Sequence, residues 1–86
     1  MKLRYFAWVR VQVGYAEEDI ELPPHIATVG DLLGWLATRG ANFATALARP
    51  EAIRVAVDQA SVDRDHPLAA AREIALFPPM TGGRPP

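Results

Sequence analysis

The residues most suggestive of chemistry lie near the C-terminal end, in the run Phe77-Pro78-Pro79-Met80-Thr81-Gly82-Gly83. Glycine lacks a Cβ atom, so the two glycines can adopt conformations barred to other residues and can enter a narrow channel. The two prolines fix φ and favour an extended exit from the preceding structure. On the residues alone, Gly82-Gly83 is equally compatible with an ordinary frayed chain end.

Side-chain chemistry is limited elsewhere in the chain. The 86 residues include no cysteine, which excludes disulfides, thiolate metal sites and a cysteine nucleophile. The two histidines, His25 and His66, have no neighbouring ligand set, and His66 precedes Pro67 in a predicted turn. Ser61 lacks a local His/Asp pattern that would activate it. We therefore expect no metal site, no resident cofactor and no hydrolase site.

Charge and hydropathy limit the classes of partner that this chain is expected to bind. A net charge of −1 gives no electrostatic footprint for nucleic acid. No apolar run approaches the roughly 20 residues of a membrane span, and the N-terminus lacks the pattern of a signal peptide. We expect a cytoplasmic protein with neither nucleic acid nor membrane as its partner.

The first half of the chain predicts a hairpin followed by a helix. Alternating residues over Lys2–Val13 predict a strand with one buried face, Gly14 permits a turn, and Asp19–Leu22 predicts a second strand. The acidic cluster Glu17-Glu18-Asp19 between them is expected to be solvated.

The main helix is predicted to start after Thr28, a good N-cap with Asp31 three residues later. One face carries four apolar residues at i, i+3, i+4 and i+7: Val29, Leu32, Leu33 and Leu36. Gly40 is placed to end this helix. A short second helix is predicted over Asn42–Ala48.

The second half predicts three strands. Ile53–Val57 alternates, Ser61–Asp63 returns after a tight turn at Asp58-Gln59-Ala60, and Ile74–Phe77 is a short apolar strand stopped by Pro78-Pro79. The element order predicts an α+β roll, a mixed sheet of about five strands with one main helix and a short second helix. We expect one domain over residues 1–80 and a mobile tail over residues 81–86.

At this point the chain resembles a known family, the small subunits of molybdopterin synthase, which are ubiquitin-like β-grasp sulfur carriers. The resemblance extends over residues 1–83. It is clearest in Tyr5-Phe6-Ala7 with Val9-Arg10, in Val55–Gln59, in Asp65–Leu68 and, most specifically, in Leu76–Gly83. The family usually has asparagine at the position of Asp58.

The resemblance implies a reaction cycle carried out by partner enzymes. An E1-like adenylating enzyme uses ATP to activate the C-terminal glycine, and a persulfide donor replaces AMP to give a thiocarboxylate. The large synthase subunit then admits the tail, and sulfur passes to cyclic pyranopterin monophosphate. This chain would have no catalytic residue beyond its own thiocarboxylate.

By the same resemblance, Gly83 is the residue that carries sulfur and Gly82 gives it access. Partner binding is expected at the segment that leads to them, because aromatic side chains and methionine are enriched in interfaces: Phe77, Pro78, Pro79, Met80 and Thr81. Phe77 is equally open to being the last core residue of its strand. Trp8 or Trp35 is a further candidate for the same surface, although tryptophans are more often core or half-buried.

Arg84-Pro85-Pro86 departs from the family pattern, in which the chain ends at the second glycine. Either a processing protease cuts after Gly83, which we favour, or this copy has lost the carrier chemistry and kept a binding role. The rival functions are a sulfur carrier of another pathway such as thiamine thiazole synthesis, a ubiquitin-like protein modifier, and a non-catalytic β-grasp interaction module.

Overall fold

The structure, a computed structural model, describes residues 1–79. Five strands form one mixed sheet in the order β2-β1-β5-β3-β4: β1 (Lys2–Tyr5), β2 (Glu17–Asp19), β3 (Arg54–Val57), β4 (Ala60–Val62) and β5 (Glu73–Phe77). The central pair, β1 and β5, is parallel, and the other neighbouring strands are antiparallel. The predicted five-stranded α+β roll is confirmed.

Three helices accompany the sheet: α1 (Ala7–Val13), α2 (Val29–Leu36) and α3 (Ala41–Ala46), with a 3₁₀ turn over Pro50–Ala52. The core lies between these helices and one face of the sheet. Its largest fully buried side chains are Tyr5, Leu3, Leu32, Leu36, Ile74, Leu76, Val9 and Val29. Within residues 1–79, no helix is long and apolar enough to cross a bilayer.

The prediction of one strand over Lys2–Val13 is wrong beyond Tyr5. The strand ladder ends where the Phe6 N–H donates to the Leu76 carbonyl (3.1 Å). Ala7 has φ +54°, which turns the chain into α1. Val9 and Val13, four residues apart, are both buried. Their spacing fits one face of a helix as well as one face of a strand. Packing against the core stabilises the helix here and outweighs the preference of valine for strands.

Gly14 turns the chain as expected, but as the cap of α1. Its φ of +106° is left-handed, and its N–H donates to the Arg10 carbonyl at 2.8 Å. The next strand, β2, lies earlier than the predicted Asp19–Leu22. Ile20 and Leu22 instead pack against the core outside the strand. The antiparallel pairing of the first two strands is confirmed, although a helix rather than a tight turn joins them.

The main helix follows its prediction closely. Thr28 accepts the Asp31 N–H at 3.2 Å, the Asp31 carboxylate accepts the Thr28 N–H at 3.2 Å, and together they form a capping box. All four residues of the predicted apolar face are buried. The helix ends at Leu36, and Gly40 precedes α3 instead of ending α2.

The hairpin between β3 and β4 turns at Asp58 and Gln59, whose φ values are +49° and +74°. The Asp58 Oδ1 atom accepts the N–H groups of Arg72 and Glu73, each at 2.9 Å. These bonds tie the hairpin turn to the start of β5. An acceptor oxygen is what the position requires, and asparagine supplies one as well as aspartate does.

Candidate functional site

The predicted carrier segment starts from the middle of the sheet. β5 lies between β1 and β3 and ends at Phe77, which is followed by the half-buried Pro78 and Pro79. We call Phe77, Pro78 and Pro79 the tail root. The predicted functional residues Met80, Thr81, Gly82 and Gly83 lie outside the described residues.

Phe77 is not a core residue. Ile74 and Leu76 are 0% and 1% exposed, so the alternation of β5 places Phe77 on the opposite face of the sheet. Its strand register puts it opposite Arg54. Of the two interpretations that the sequence left open, the half-buried outward position is the one compatible with a binding role.

Around Phe77 the structure assembles a surface that we call the outer sheet face, formed by Arg4, Phe6, Arg54, Ala75 and Phe77. Phe6 and Phe77 directly follow the last paired residues of the parallel strands β1 and β5, so the two rings end adjacent strands. Phe6 is 39% exposed, and the Arg4 guanidinium lies 5.2 Å from the centre of its ring. Ala75 pairs with Arg4 on one side, and its small side chain leaves a shallow area between the arginines and the aromatic rings.

An open depression of about 420 Å³ borders the tail root on the side of β3 and β4. Its lining combines apolar and charged side chains: Arg54, Val55, Ser61, Val62, Asp63, Phe77 and Pro79. A concave surface that combines an aromatic ring, a proline and both signs of charge can receive a protein side chain. The groups of the outer sheet face are aromatic, methyl and guanidinium groups, which bind a surface but supply no general base.

The charges of the outer sheet face are only loosely neutralised. Arg4 lies 3.7 Å from Glu17 and 3.7 Å from Glu73, and both are long contacts between side chains that remain partly exposed. Within residues 1–79, no carboxylate lies within 4.0 Å of the Arg54 guanidinium. These arginines therefore stay available to carboxylates of a partner.

A hydrogen-bonded network on the other side of the sheet holds β1 and β2 to the helices. The Tyr5 hydroxyl donates to Glu18 Oε2 at 2.6 Å. Arg39 donates to both carboxylate oxygens of Glu18, from Nη1 at 2.8 Å and from Nη2 at 3.0 Å. The Arg39 guanidinium also lies 4.8 Å from the Phe43 ring centre. The acidic cluster was expected to be solvated, but Glu18 instead joins Tyr5 of β1 to Arg39, which lies in the segment between α2 and α3.

The network shifts the pKa values of its members. Burial raises the pKa of the Tyr5 hydroxyl well above its usual value, and the hydrogen bond to Glu18 raises it further. Burial by itself would raise the pKa of the Glu18 carboxyl, but the hydrogen bonds from Arg39 and Tyr5 outweigh it and lower that pKa below 4.5. Near neutral pH, Glu18 is therefore ionised and Tyr5 stays a hydroxyl donor. We assign this network to stability and not to reaction chemistry.

The structure brings some predicted site residues together and separates others. Phe77, Pro78 and Pro79 are contiguous at the end of β5. Trp8 is 43% exposed on α1. Trp35 lies on α2 and is half-buried against the core, which is common for tryptophan. Its ring centre lies 5.5 Å from the Arg39 guanidinium.

Sequence reasoning missed Phe6 as a neighbour of Phe77. The parity of β1 contains a signal, because Arg4 and Phe6 share the face opposite the buried Leu3 and Tyr5. The parallel pairing of β1 with β5 belongs to the tertiary structure and cannot be predicted from either segment alone.

The sheet order, with helices packed against one face, defines a small ubiquitin-like β-grasp domain. The chain matches the model described as the ThiS family over residues 3–83. It belongs to the ThiS family.

Two curated relatives share almost the full length. The chain is 37% identical over 83 residues to the molybdopterin synthase sulfur carrier subunit of Escherichia coli (strain K12), and the match covers 96% of this chain and 99% of the relative. It is 31% identical to the protein of the same name from Haemophilus influenzae, with the same coverage.

Solved structures agree on the fold. SAMP1 from Haloferax volcanii matches with a TM-score of 0.69 at 27% identity, covering 96% of this chain and 98% of that one. A putative molybdopterin converting factor, subunit 1, from Pyrococcus furiosus matches with a TM-score of 0.63 at 28% identity, covering 92% and 95%. The ubiquitin-like β-grasp fold and the family resemblance expected from the sequence are confirmed.

Proposed function

We propose that this chain is the sulfur carrier subunit of a molybdopterin synthase and that it carries sulfur on the carboxyl carbon of Gly83. One observation supports the proposal more than any other. The family match ends at residue 83, and the named sulfur carriers align with this chain over 99% of their own length. The part of this chain that matches the family therefore stops at the second glycine, where the chemistry would occur.

The composition fits a carrier that uses its main chain. With no cysteine available, a carboxyl carbon is the group that can hold sulfur. A carboxylate is a poor acyl donor, so ATP first converts it to an acyl adenylate and releases pyrophosphate. The sulfur of a persulfide then displaces AMP, and cleavage of the sulfur–sulfur bond by a thiol leaves the thiocarboxylate. ATP and the catalytic acids and bases belong to an E1-like adenylating enzyme, not to this chain.

The outer sheet face supplies the docking surface for this cycle. Phe6 and Phe77 give it an aromatic centre beside the tail root, and Arg4 and Arg54 give it charge. We propose that the large synthase subunit covers this face while the tail enters its active site. Pro78 and Pro79 favour an extended path away from the sheet, which keeps the glycines clear of the carrier's own body.

The bond after Gly83 must be broken first. Gly83 is followed by Arg84, so its carbonyl is a peptide amide and cannot be adenylated. We propose that a protease hydrolyses this bond with one water, which leaves the Gly83 carboxylate on the carrier and a free amine on Arg84. All steps up to sulfur transfer are expected in the cytoplasm, where ATP is available.

The test compares two forms of the protein in one assay with an E1-like adenylating enzyme, ATP and a persulfide donor. The form that ends at Gly83 should consume ATP and gain the mass difference between sulfur and oxygen. The form that retains Arg84-Pro85-Pro86 should do neither until the protease is added. In the native host, mass spectrometry should find the chain ending at Gly83. Protein that keeps Arg84 in cells that depend on it for the cofactor would refute the proposal.

A measurement in host extracts separates a protein modifier from a sulfur carrier. Small archaeal modifier protein 1 of Haloferax volcanii, as a solved structure, matches this chain at 26% identity with a TM-score of 0.69. A modifier would appear in host extracts as isopeptide-linked adducts through Gly83. The higher identity to the two sulfur carriers favours the carrier.

A further inference from the structure

Within residues 1–79, the large apolar side chains that are exposed all fall in one ten-residue segment. They are Phe6 at 39%, Trp8 at 43%, Val11 at 75% and Tyr15 at 40% exposure. Single exposed apolar residues need no explanation, but a concentration of them marks an interaction surface. Phe6 belongs to the outer sheet face, Trp8 and Val11 lie on α1, and Tyr15 follows the Gly14 cap of that helix.

α1 has apolar residues on both of its sides. Val9 and Val13 are buried in the core, and Trp8 and Val11 lie on the opposite side of the helix. A surface helix needs only the first pair in order to pack. Val11 is mostly exposed and Trp8 keeps 43% of its surface exposed, so a partner that covers them would gain the burial of this remaining surface. Tryptophan is also among the residues that dominate interface energetics.

The start of α1 is fixed beside the tail root. The Phe6 N–H donates to the Leu76 carbonyl at 3.1 Å, directly before Phe77, and α1 packs against β5 and α3. Four residues separate Pro79 from the bond after Gly83. Fully extended, they reach about 13–14 Å. A protein that holds the Gly83 carboxyl in its active site must therefore bring its own surface close to the residues around the tail root.

Charge indicates the chemistry of the covering surface. Arg10 precedes Val11 on α1 and lies on the flank of the helix away from Trp8, and within residues 1–79 no carboxylate lies within 4.0 Å of its guanidinium. Arg54, across the tail root, is in the same situation. Arginines at the edge of an exposed apolar surface fit a partner surface that has an apolar centre and carboxylates at its edge.

We propose that Trp8 and Val11, with Arg10 at the edge next to Val11, form a second contact on the carrier that the large synthase subunit covers when the tail is inserted. The inference rests on the proposed function. It adds α1 to the docking surface, as a contact separate from the outer sheet face and from the tail. The partner surface that meets α1 is apolar and bordered by carboxylates.

The experiment measures the affinity of the large subunit for the carrier ending at Gly83, by calorimetry or fluorescence anisotropy. Trp8→Gln and Val11→Gln should each weaken binding, and the double variant should weaken it at least about tenfold. Gln12→Ala, an exposed neighbour on the same helix, is the matched control and should bind like the parent. Arg10→Gln should weaken binding mainly at low salt. Circular dichroism checks that every variant is folded.

Three results would overturn the inference. If the double variant binds as tightly as Gln12→Ala, α1 is not part of the interface. If the parent carrier forms a dimer that Trp8→Gln abolishes while large-subunit binding is unchanged, the patch serves a second copy of this chain. If the parent carrier neither binds the large subunit nor accepts sulfur, the proposed function fails and the inference with it. The sulfur-loading assay distinguishes this last result from the other two.

Discussion

Replacing Glu18 by glutamine removes the charge at the centre of the network that joins β1 and β2 to the helices. The substitution keeps the size of the side chain and one acceptor oxygen. It replaces the other oxygen by an amide that faces a donor of Arg39. The carboxylate accepts bonds at 2.6 Å from Tyr5 and at 2.8 and 3.0 Å from Arg39. We expect the free energy of unfolding to fall because these charge-assisted bonds weaken.

The magnitude follows from the geometry. A hydrogen bond to a charged group contributes about 1.5–3 kcal/mol. Part of this is lost to solvent screening, because the side chains of Arg39 and Glu18 are 27% and 16% exposed. Since one acceptor is retained, we expect a net loss of about 2 kcal/mol. For a domain of this size, that corresponds to a decrease in Tm of about 10 °C.

The pH dependence gives the same prediction a second readout. The folded-state pKa of Glu18 is lowered, so the stability it contributes is present above its ordinary pKa and is lost as the pH falls through the lowered value. The difference in unfolding free energy between parent and Glu18→Gln should therefore be constant near neutral pH. It should shrink as the pH falls below 4.5, the ordinary value.

The assay is urea and thermal unfolding followed by tryptophan fluorescence and circular dichroism. Glu17→Gln is the matched control, because Glu17 precedes Glu18 in the same strand. Its side chain is 52% exposed, and its contacts with Lys2 and Arg4 are 3.9 and 3.7 Å long. We expect Glu17→Gln to change stability by less than about 0.5 kcal/mol. Equal losses in the two variants would show that the Glu18 network is not the stabilising unit described above.

Two further predictions concern turns. Asp58→Ala leaves the N–H groups of Arg72 and Glu73 without their acceptor and should lower the free energy of unfolding by about 1–3 kcal/mol. Asp58→Asn keeps an acceptor and should lower it less. Urea unfolding of the two variants checks this prediction, and equal losses of stability would contradict it. Gly14→Ala should cost about 1–2 kcal/mol because of its left-handed backbone alone, since an added Cβ would meet nothing within 4 Å. Gly14→Asn should cost less, because asparagine tolerates this conformation, and a larger loss for asparagine in thermal unfolding would argue against the explanation.

The elements that local pattern specifies were predictable. The apolar face of α2 and its Thr28 cap are read directly from residue spacing, because a helix repeats every 3.6 residues. The end of β5 follows from Pro78-Pro79, which cannot continue a strand ladder. The turn at Asp58-Gln59 follows from two short strands on either side of it.

The segment Ala7–Val13 was not predictable in the same way. Val9, Val11 and Val13 satisfy a strand of period two, and Val9 and Val13 also satisfy one face of a helix. The helix wins because the Leu76 carbonyl engages the Phe6 N–H and because α1 packs against α3, where Asn42 donates to the Val13 carbonyl at 2.6 Å. Both interactions come from residues far along the chain, and no window around residues 7–13 contains them.

By itself, the sequence determined the chemistry that is open to this protein. It has no cysteine, so any sulfur that it handles must be held by a group other than its side chains, and the group that we propose is the main-chain carboxyl of Gly83. Only the tertiary structure decided the surface that presents this group. Parallel pairing of β1 with β5 places Phe6 beside Phe77, and packing of α1 leaves Trp8 and Val11 exposed next to them. The reason is that residue type and spacing fix local conformation, whereas a binding face depends on which distant strands pair.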